Sequence, residues 1–257
     1  MAFDVASCES KGARAYQEDY ALIRPLTADT NAEQSIRDGV IAVLADGMGG
    51  HAGGAVASET ACAEFASGFL AMPGEVRVRL FEALYQANEA IAARVAANPA
   101  LTGMGCTLVG MVVGPSGIEW VSVGDSPLFL IRHGELALLN EDHSLAPEID
   151  KLAAAGKISP ESAKADPRRH FLRSAVTGGE IELIDRSRRP LALMAGDVIV
   201  LASDGIHTLA EGDILGLVQR QANDDAQTMA RSLIDAVHAV GDRYQDNTTV
   251  VVVRVTN

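Results

Sequence analysis

VIAVLADGMGGHAGG, running from Val40 to Gly54, is the stretch whose reading decides the fold. Val40 to Ala45 is continuously apolar and β-branched at Val40, Ile41 and Val43, which predicts a strand buried on both faces. The run ends on a carboxylate, Asp46, and then breaks into Gly47, Gly49, Gly50, Gly53 and Gly54. An ionised carboxylate at the end of a core strand costs several kcal/mol unless something positive offsets it. Glycine beside it lets backbone approach closely and leaves the Gly47 carbonyl free as an oxygen ligand. One reading is a hard-cation site at a strand terminus. The other is a plain strand-to-helix turn with Asp46 as a cap.

Two distant places repeat the pattern. Val198 to Ala202 is a second continuous apolar run, and it ends Ser203-Asp204-Gly205. Near the end, Gln245-Asp246-Asn247-Thr248-Thr249 feeds a β-branched strand from Val250 to Val255. If these ends converge, the carboxylates repel one another unless cations lie between them. Oxygen ligands without histidine or thiolate suit Mg²⁺ or Mn²⁺ rather than zinc.

Further acids stand at other turns. A first strand, Phe3 to Ser10, is followed by Arg14-Ala-Tyr-Gln-Glu18-Asp19 and a short strand, Tyr20 to Ile23. Glu18 and Asp19 thus lie at a hairpin-like edge, where neighbouring side chains point to opposite faces. A solvated acidic turn is the alternative there. Gly124-Asp125-Ser126 is another strand-to-turn carboxylate, equally readable as an ordinary turn.

The remaining chain supplies the frame. Residues 26–38 are polar and predict a surface loop. Gly54 to Leu70 and Glu75 to Ala97 predict helices, the second with a stripe of Leu80, Leu84, Ala87, Ile91 and Val95. Short β-runs, Cys106 to Val113, Gly117 to Val123, Leu128 to Arg132 and Glu135 to Leu139, are too closely spaced for crossovers and predict antiparallel meanders. Pro147 to Val176 predicts a helical excursion with a cationic excess: Lys157, Lys164, Arg168, Arg169 and Arg173. It reads as a docking flap for anionic partners, or as solvated helices. Strands then resume over Ile181 to Asp185, and amphipathic helices are predicted near Glu211 to Gln219 and Ala226 to Val240. No linker interrupts the chain, so residues 1–257 read as one domain with a flap at 147–176.

A net charge of −13 makes nucleic acid a poor partner. No apolar run approaches the roughly 20 residues of a membrane span, and the N-terminus has no signal-peptide pattern. Cys8, Cys62 and Cys106 lack metal-ligand spacing, which leaves a reducing cytoplasm as the expected location.

Taken in order, the motifs resemble those of the metal-dependent protein phosphatase 2C family in its bacterial form, over nearly the whole chain. They are Arg14-x-x-x-Glu18-Asp19, Ala45-Asp46-Gly47-Met48-Gly49-Gly50-His51, Gly105-Cys106-Thr107, Val123-Gly124-Asp125-Ser126, Asp142-His143-Ser144, Ser203-Asp204-Gly205 and Asp246-Asn247-Thr248-Thr249. Each is short; their joint order is specific.

The resemblance implies an α+β fold, a four-layer α-β-β-α sandwich of two antiparallel sheets flanked by helix pairs. It implies hydrolysis of phosphoserine and phosphothreonine on proteins at a binuclear Mn²⁺ or Mg²⁺ centre, opposing a Ser/Thr kinase. Asp46 would bridge both ions, Asp204 and Asp246 would hold the first, and Glu18 with the Gly47 carbonyl would serve the second. Asp19 would orient water, Asp125 would join a third, weaker ion near the flap, and Arg14 would contact substrate phosphate. Met48 stands where eukaryotic members carry a histidine, so leaving-group protonation falls to another group, and His51 is not assumed to replace it. Pro127 stands where many members have arginine. A monomer without membrane or nucleic-acid partners is expected. The rival from another class is a phosphoprotein-binding module without turnover on the same fold; the intact Asp46, Asp204 and Asp246 favour the enzyme. A phosphodiesterase or nuclease is disfavoured by the acidic charge.

Overall fold

Both faces of the opening strand are covered, which explains why it reads as a continuous apolar run. The strand β3 (Gly39–Ala45) is buried throughout. Ala42 and Leu44 pack into the layer between the two sheets, whereas Ile41, Val43 and Ala45 face a helical layer. The computed structural model describes residues 1–27, 36–49 and 53–256. His51, Gly50 and the middle of the expected 26–38 loop lie outside the described residues. The two ends of that loop are not surface: Leu26 and Ile36 are buried.

The strands are β1 (Ala2–Ser10), β2 (Tyr20–Leu26), β3, β4 (Gly47–Met48), β5 (Gly105–Cys106), β6 (Leu108–Gly114), β7 (Gly117–Val123), β8 (Leu128–Arg132), β9 (Glu135–Leu138), β10 (Asp185–Arg186), β11 (Val198–Ala202) and β12 (Thr248–Thr256). The helices are α1 (Gly53–Ala71), α2 (Val76–Ala97), α3 (Ala146–Ala154), α4 (Pro160–Lys164), α5 (Glu211–Arg220) and α6 (Ala226–Val240). One five-stranded sheet runs β1-β12-β11-β8-β9 and the other β10-β7-β6-β3-β2, with β4-β5 as a small annex. Every pairing between these strands is antiparallel. The α+β sandwich is the expected one.

Alternation along each strand assigns the layers. Ile199 and Leu201 of β11, with Val251 and Val253 of β12, fill the space between the sheets. Val200, Ala202, Val250 and Val252 meet Met229 and Leu233 of α6. On the other side, Ile41 and Val43 meet Phe65 and Phe69 of α1 and Leu80 and Leu84 of α2. Among the described residues no helix is long and apolar enough to cross a membrane.

Three expectations need correction. β1 and β2 belong to different sheets, so Glu18 and Asp19 lie on a crossover and not at a hairpin edge. β7 and β8 also change sheets, so Gly124 to Pro127 is a second crossover, and the meander is two separate hairpins. Of the expected strand Ile181 to Asp185, only Asp185 is in β10. The segment before it is held instead by Ser174 Oγ, which donates to the Leu183 carbonyl and accepts from its amide, both at 2.9 Å.

Candidate metal centre

Each acidic motif sits at a strand end, Asp46, Asp125 and Asp204 just after β3, β7 and β11, and Glu18-Asp19 and Asp246 just before β2 and β12, and local contacts fix it there. Thr107 clamps the backbone of Asp46 from both sides: its amide donates to the Asp46 carbonyl (2.9 Å), and its Oγ1 accepts from the Asp46 amide (3.0 Å). Gly47 donates to the Glu18 carbonyl (3.1 Å) as it begins β4. A Cβ at Gly47 would run into the Gly54 and Glu18 carbonyl oxygens. Gly205 meets the same constraint in the other sheet, where a Cβ would strike the Asn247 carbonyl. The repeated Asp-Gly therefore has a packing cause at both places.

Asn247 fastens the first crossover. Its Nδ2 donates to the carbonyls of Lys11 and Tyr16, both at 2.9 Å, and its Oδ1 accepts from the Glu18 amide at 2.8 Å. Asp19, only 4% exposed, accepts from the Ser203 hydroxyl at 2.7 Å. Ser203 in turn accepts from the Thr249 amide at 2.9 Å. Asp246 is paired with Arg14.

These elements wall one cavity of about 750 Å³. Arg14, Glu18, Asp46, Gly47, Asp125, Asp204 and Asp246 all line it, and Asp19 sits behind it through Ser203. Met48 lines it too. Pro127 is buried, and its carbonyl accepts from the Ala202 amide at 3.0 Å, so that position serves the β8–β11 pairing. The flap closes one wall through His170, Phe171 and Arg173. Its arginines are ion-paired internally: Arg168 with Asp166 (2.6 Å), Arg169 with Asp150 (2.6 Å) and Arg173 with Glu148 (2.7 Å). Sequence reasoning missed Glu180 and Glu182, which also line the cavity; they carry no motif.

The carboxylates disturb one another. Burial pushes Asp19 up to about 7, opposed by the Ser203 hydrogen bond and reinforced by Asp204 and Asp246. Burial likewise pushes Asp125 up to about 7, with the charges of Asp204 and Asp142 adding to it. Asp46 is raised well above the carboxylate range by burial and then by Asp19, Asp204, Asp125 and Asp246. Asp204 is raised by burial and by Asp246. The set thus holds protons that a cation would displace.

The oxygens fit a hard divalent ion. Glu18 Oε1, Asp19 Oδ1 and Asp204 Oδ1 are buried without a hydrogen-bond partner. The space a Cβ on Gly54 would take is walled by Glu18 Oε1 at 2.5 Å and the Gly47 carbonyl at 2.9 Å, a cradle of two bare oxygens. Among the described residues no group of three or more acidic, histidine or cysteine side chains is gathered closely enough to hold a metal ion as it stands. Burial and mutual repulsion raise the proton affinity of Asp19, Asp46, Asp125 and Asp204, and Arg14 pairs with Asp246.

A family model described as protein phosphatase 2C matches residues 28–246. The chain is 35% identical over 245 residues to the serine/threonine protein phosphatase PstP of Mycobacterium tuberculosis, covering 94% of this chain and 44% of that protein. It therefore spans less than half the length of that relative. A crystal structure of the same mycobacterial phosphatase superposes with a TM-score of 0.80 at 31% identity, over 100% of both chains. A structure of the PstP catalytic domain in complex with two manganese ions gives 0.77 at 32% identity, over 99% of both.

Proposed function

Because the chain belongs to the protein phosphatase 2C family, we propose that it hydrolyses phosphoserine and phosphothreonine monoesters on proteins, using two Mn²⁺ or Mg²⁺ ions. The observation that carries this reading is the group of unpartnered, buried carboxylate oxygens, contributed by both sheets around one cavity. Asp46 would bridge the ions, Asp204 and Asp246 would hold one, and Glu18 with the Gly47 carbonyl would hold the other. Asp125, on the second crossover, would serve a third and weaker ion. When bound, the ions supply Lewis-acid charge that acidifies water and offsets charge on phosphate oxygens.

The chain's own residues do the rest. Ser203 and the Thr249 amide hold Asp19 in place, so Asp19 orients water from a fixed carboxylate. Arg14 is half-exposed at the cavity and fits a phosphate through its planar fork of donors. Arg14 pairs with Asp246 through one terminal nitrogen, so its other donors can meet a phosphate, and an ion held by Asp246 would loosen that pairing. In the hydrolysis, a water oxygen bonds phosphorus as the bond to the serine or threonine oxygen breaks, and that oxygen takes a proton. No cysteine nucleophile enters: Cys62 and Cys106 are buried, and burial pushes both thiols up.

A protein monoester exists only where a kinase has formed it, so a Ser/Thr kinase belongs to the same reading. The three free cysteines suit a reducing, cytoplasmic setting. A monomer suffices, because every proposed ligand comes from one chain. The presence of Asp46, Asp204 and Asp246 together supports turnover over a binding-only module. The test is phosphate release from a phosphothreonine peptide during Mn²⁺ titration. No release at saturating Mn²⁺ would refute the reading.

A further inference from the structure

Residues 185–190 read DRSRRP, placing three arginines in four positions of a chain with formal charge −13. Arg186 ends β10, the outermost strand of its sheet, which among the described residues pairs with β7, and Arg188 and Arg189 follow it. Arg186, Arg188 and Arg189 are exposed, and among the described residues none makes an ion pair. Arg14, Arg132 and Arg173, by contrast, each hold a carboxylate. An arginine-rich loop kept free of carboxylates in an acidic protein is a surface awaiting charge from elsewhere.

The loop is fastened to β7 and α2 and faces apolar surface. The Ser187 amide donates to the Trp120 carbonyl and its Oγ accepts from the Trp120 amide, both at 3.1 Å. The Arg186 guanidinium carbon lies 4.8 Å from the Phe81 ring centroid, which ties the loop to α2. Beside Phe81, Val78 is 51% exposed and Tyr85 39%. Between α2 and the loop runs a groove of about 500 Å³ lined by Val78, Phe81, Arg186 and Arg188. A second hollow shares Arg186, Ser187 and Arg188 with it and extends past Arg189 and Trp120. Neighbouring acids are engaged: Glu75 holds Arg77 at 2.7 Å, and Asp185 accepts from the Trp120 indole at 3.0 Å. Glu82 also lines the groove, leaving an excess of guanidinium over free carboxylate.

We propose that this groove docks an extended acidic segment of a protein partner, its carboxylates on Arg188 and Arg189 and one apolar side chain on Val78 and Phe81. Forked guanidinium–carboxylate pairs around an apolar anchor are what such a surface can bind. The chain also connects the groove to the cavity, because Glu182 lines the metal centre. Arg188 lies six residues further along, at most about 20 Å of chain. Resting on the phosphatase reading, the partner is the substrate itself, with its acidic segment a short stretch of chain away from the phosphorylated residue. Docking there raises the local concentration of phosphate at the centre without touching the chemistry.

The test uses the full chain and a fluorescein-labelled, unphosphorylated Asp/Glu-rich peptide carrying one leucine, followed by anisotropy. Binding is expected for this peptide and not for a Lys-rich counterpart. The double substitution Arg188→Glu/Arg189→Glu should weaken it by about tenfold or more. Val78→Ser, a milder change on an exposed helix face, should weaken binding by a few-fold. With Mn²⁺, both variants should retain wild-type turnover of an aryl phosphate, while KM rises only for phosphopeptides that carry the acidic segment. Absence of binding, equal binding by the charge-reversed protein, or full competition by heparin without any effect of the leucine would overturn the proposal. Peptide binding in a protein that fails to turn over aryl phosphate with Mn²⁺ would uphold the docking surface and refute the phosphatase reading.

Discussion

Ser203, just after β11 of one sheet, and Asp19, just before β2 of the other, are joined by a hydrogen bond of 2.7 Å from the serine hydroxyl to Asp19 Oδ2. That bond favours the ionised carboxylate, which burial otherwise opposes. Ser203→Ala should therefore raise Asp19 further above 7 and make it harder for a cation to displace the proton. Mn²⁺ affinity at neutral pH is expected to fall about tenfold. Calorimetric titrations at several pH values should show the deficit shrinking as pH rises; a deficit independent of pH would count against the coupling.

Asp19 and Asp125 set the pH response of the metal-free protein. Both are pushed up to about 7, against about 3.8 in the unfolded chain. Between those values the folded state binds more protons than the unfolded state, so stability falls as pH rises from about 4 to about 7. In EDTA, Tm at pH 7.5 should be lower than at pH 5.5 by several degrees, roughly. Mn²⁺ should recover more stability at pH 7.5, where fewer protons compete. Equal Tm at the two pH values in EDTA would contradict this.

Asp204→Asn separates charge repulsion from ligation. Turnover of an aryl phosphate should fall by about a hundredfold or more, since a metal ligand and its charge are lost. Without metal, the same variant should be more stable than wild type, because Asp204 presses on Asp46, Asp19 and Asp125. Thermal unfolding in EDTA reads the sign directly.

Arg14 is shared between Asp246 and the proposed phosphate. Arg14→Ala should lower kcat/KM for a phosphopeptide by about ten- to a hundredfold, with Mn²⁺ affinity unchanged or higher. Parallel loss of both would assign Arg14 to holding the fold at this rim.

Asn247→Ala removes three hydrogen bonds that fasten the first crossover. The expected cost is about 2–3 kcal/mol by chemical denaturation, with Mn²⁺ affinity reduced as well because Glu18 loses its amide anchor.

Much of this architecture was legible in the sequence, and the misses share a cause. Val40 to Ala45 and Val198 to Ala202 were readable because both faces are covered, leaving runs without polar interruption. Sheet membership was not readable. β1 finds its partner at the far end of the chain, Ala2 opposite Thr256, and no local pattern records that. Glu18 and Asp19 were therefore assigned to a hairpin although they cross between sheets. Ile181 to Ile184 alternates like a strand, yet Ser174 takes up the Leu183 backbone groups. Flap arginines read as docking charges because Glu148, Asp150 and Asp166, their nearby partners, are indistinguishable in sequence from solvated acids. The acidic motifs were identifiable by order; the Arg14–Asp246 pairing needed coordinates.

The two chain crossovers and the two Asp-Gly strand ends divide the proposed ligands between opposite halves of the sandwich. Asp204 and Asp246 come from one half and Glu18, Asp46 and Gly47 from the other, so neither half alone carries the whole proposed set. A version of this protein cut in the segment between β9 and β11 would leave Asp204 and Asp246 on the second piece and the other proposed ligands on the first, so a two-ion centre would form only when the pieces dock correctly and the second ion would act as a proofreader of their assembly.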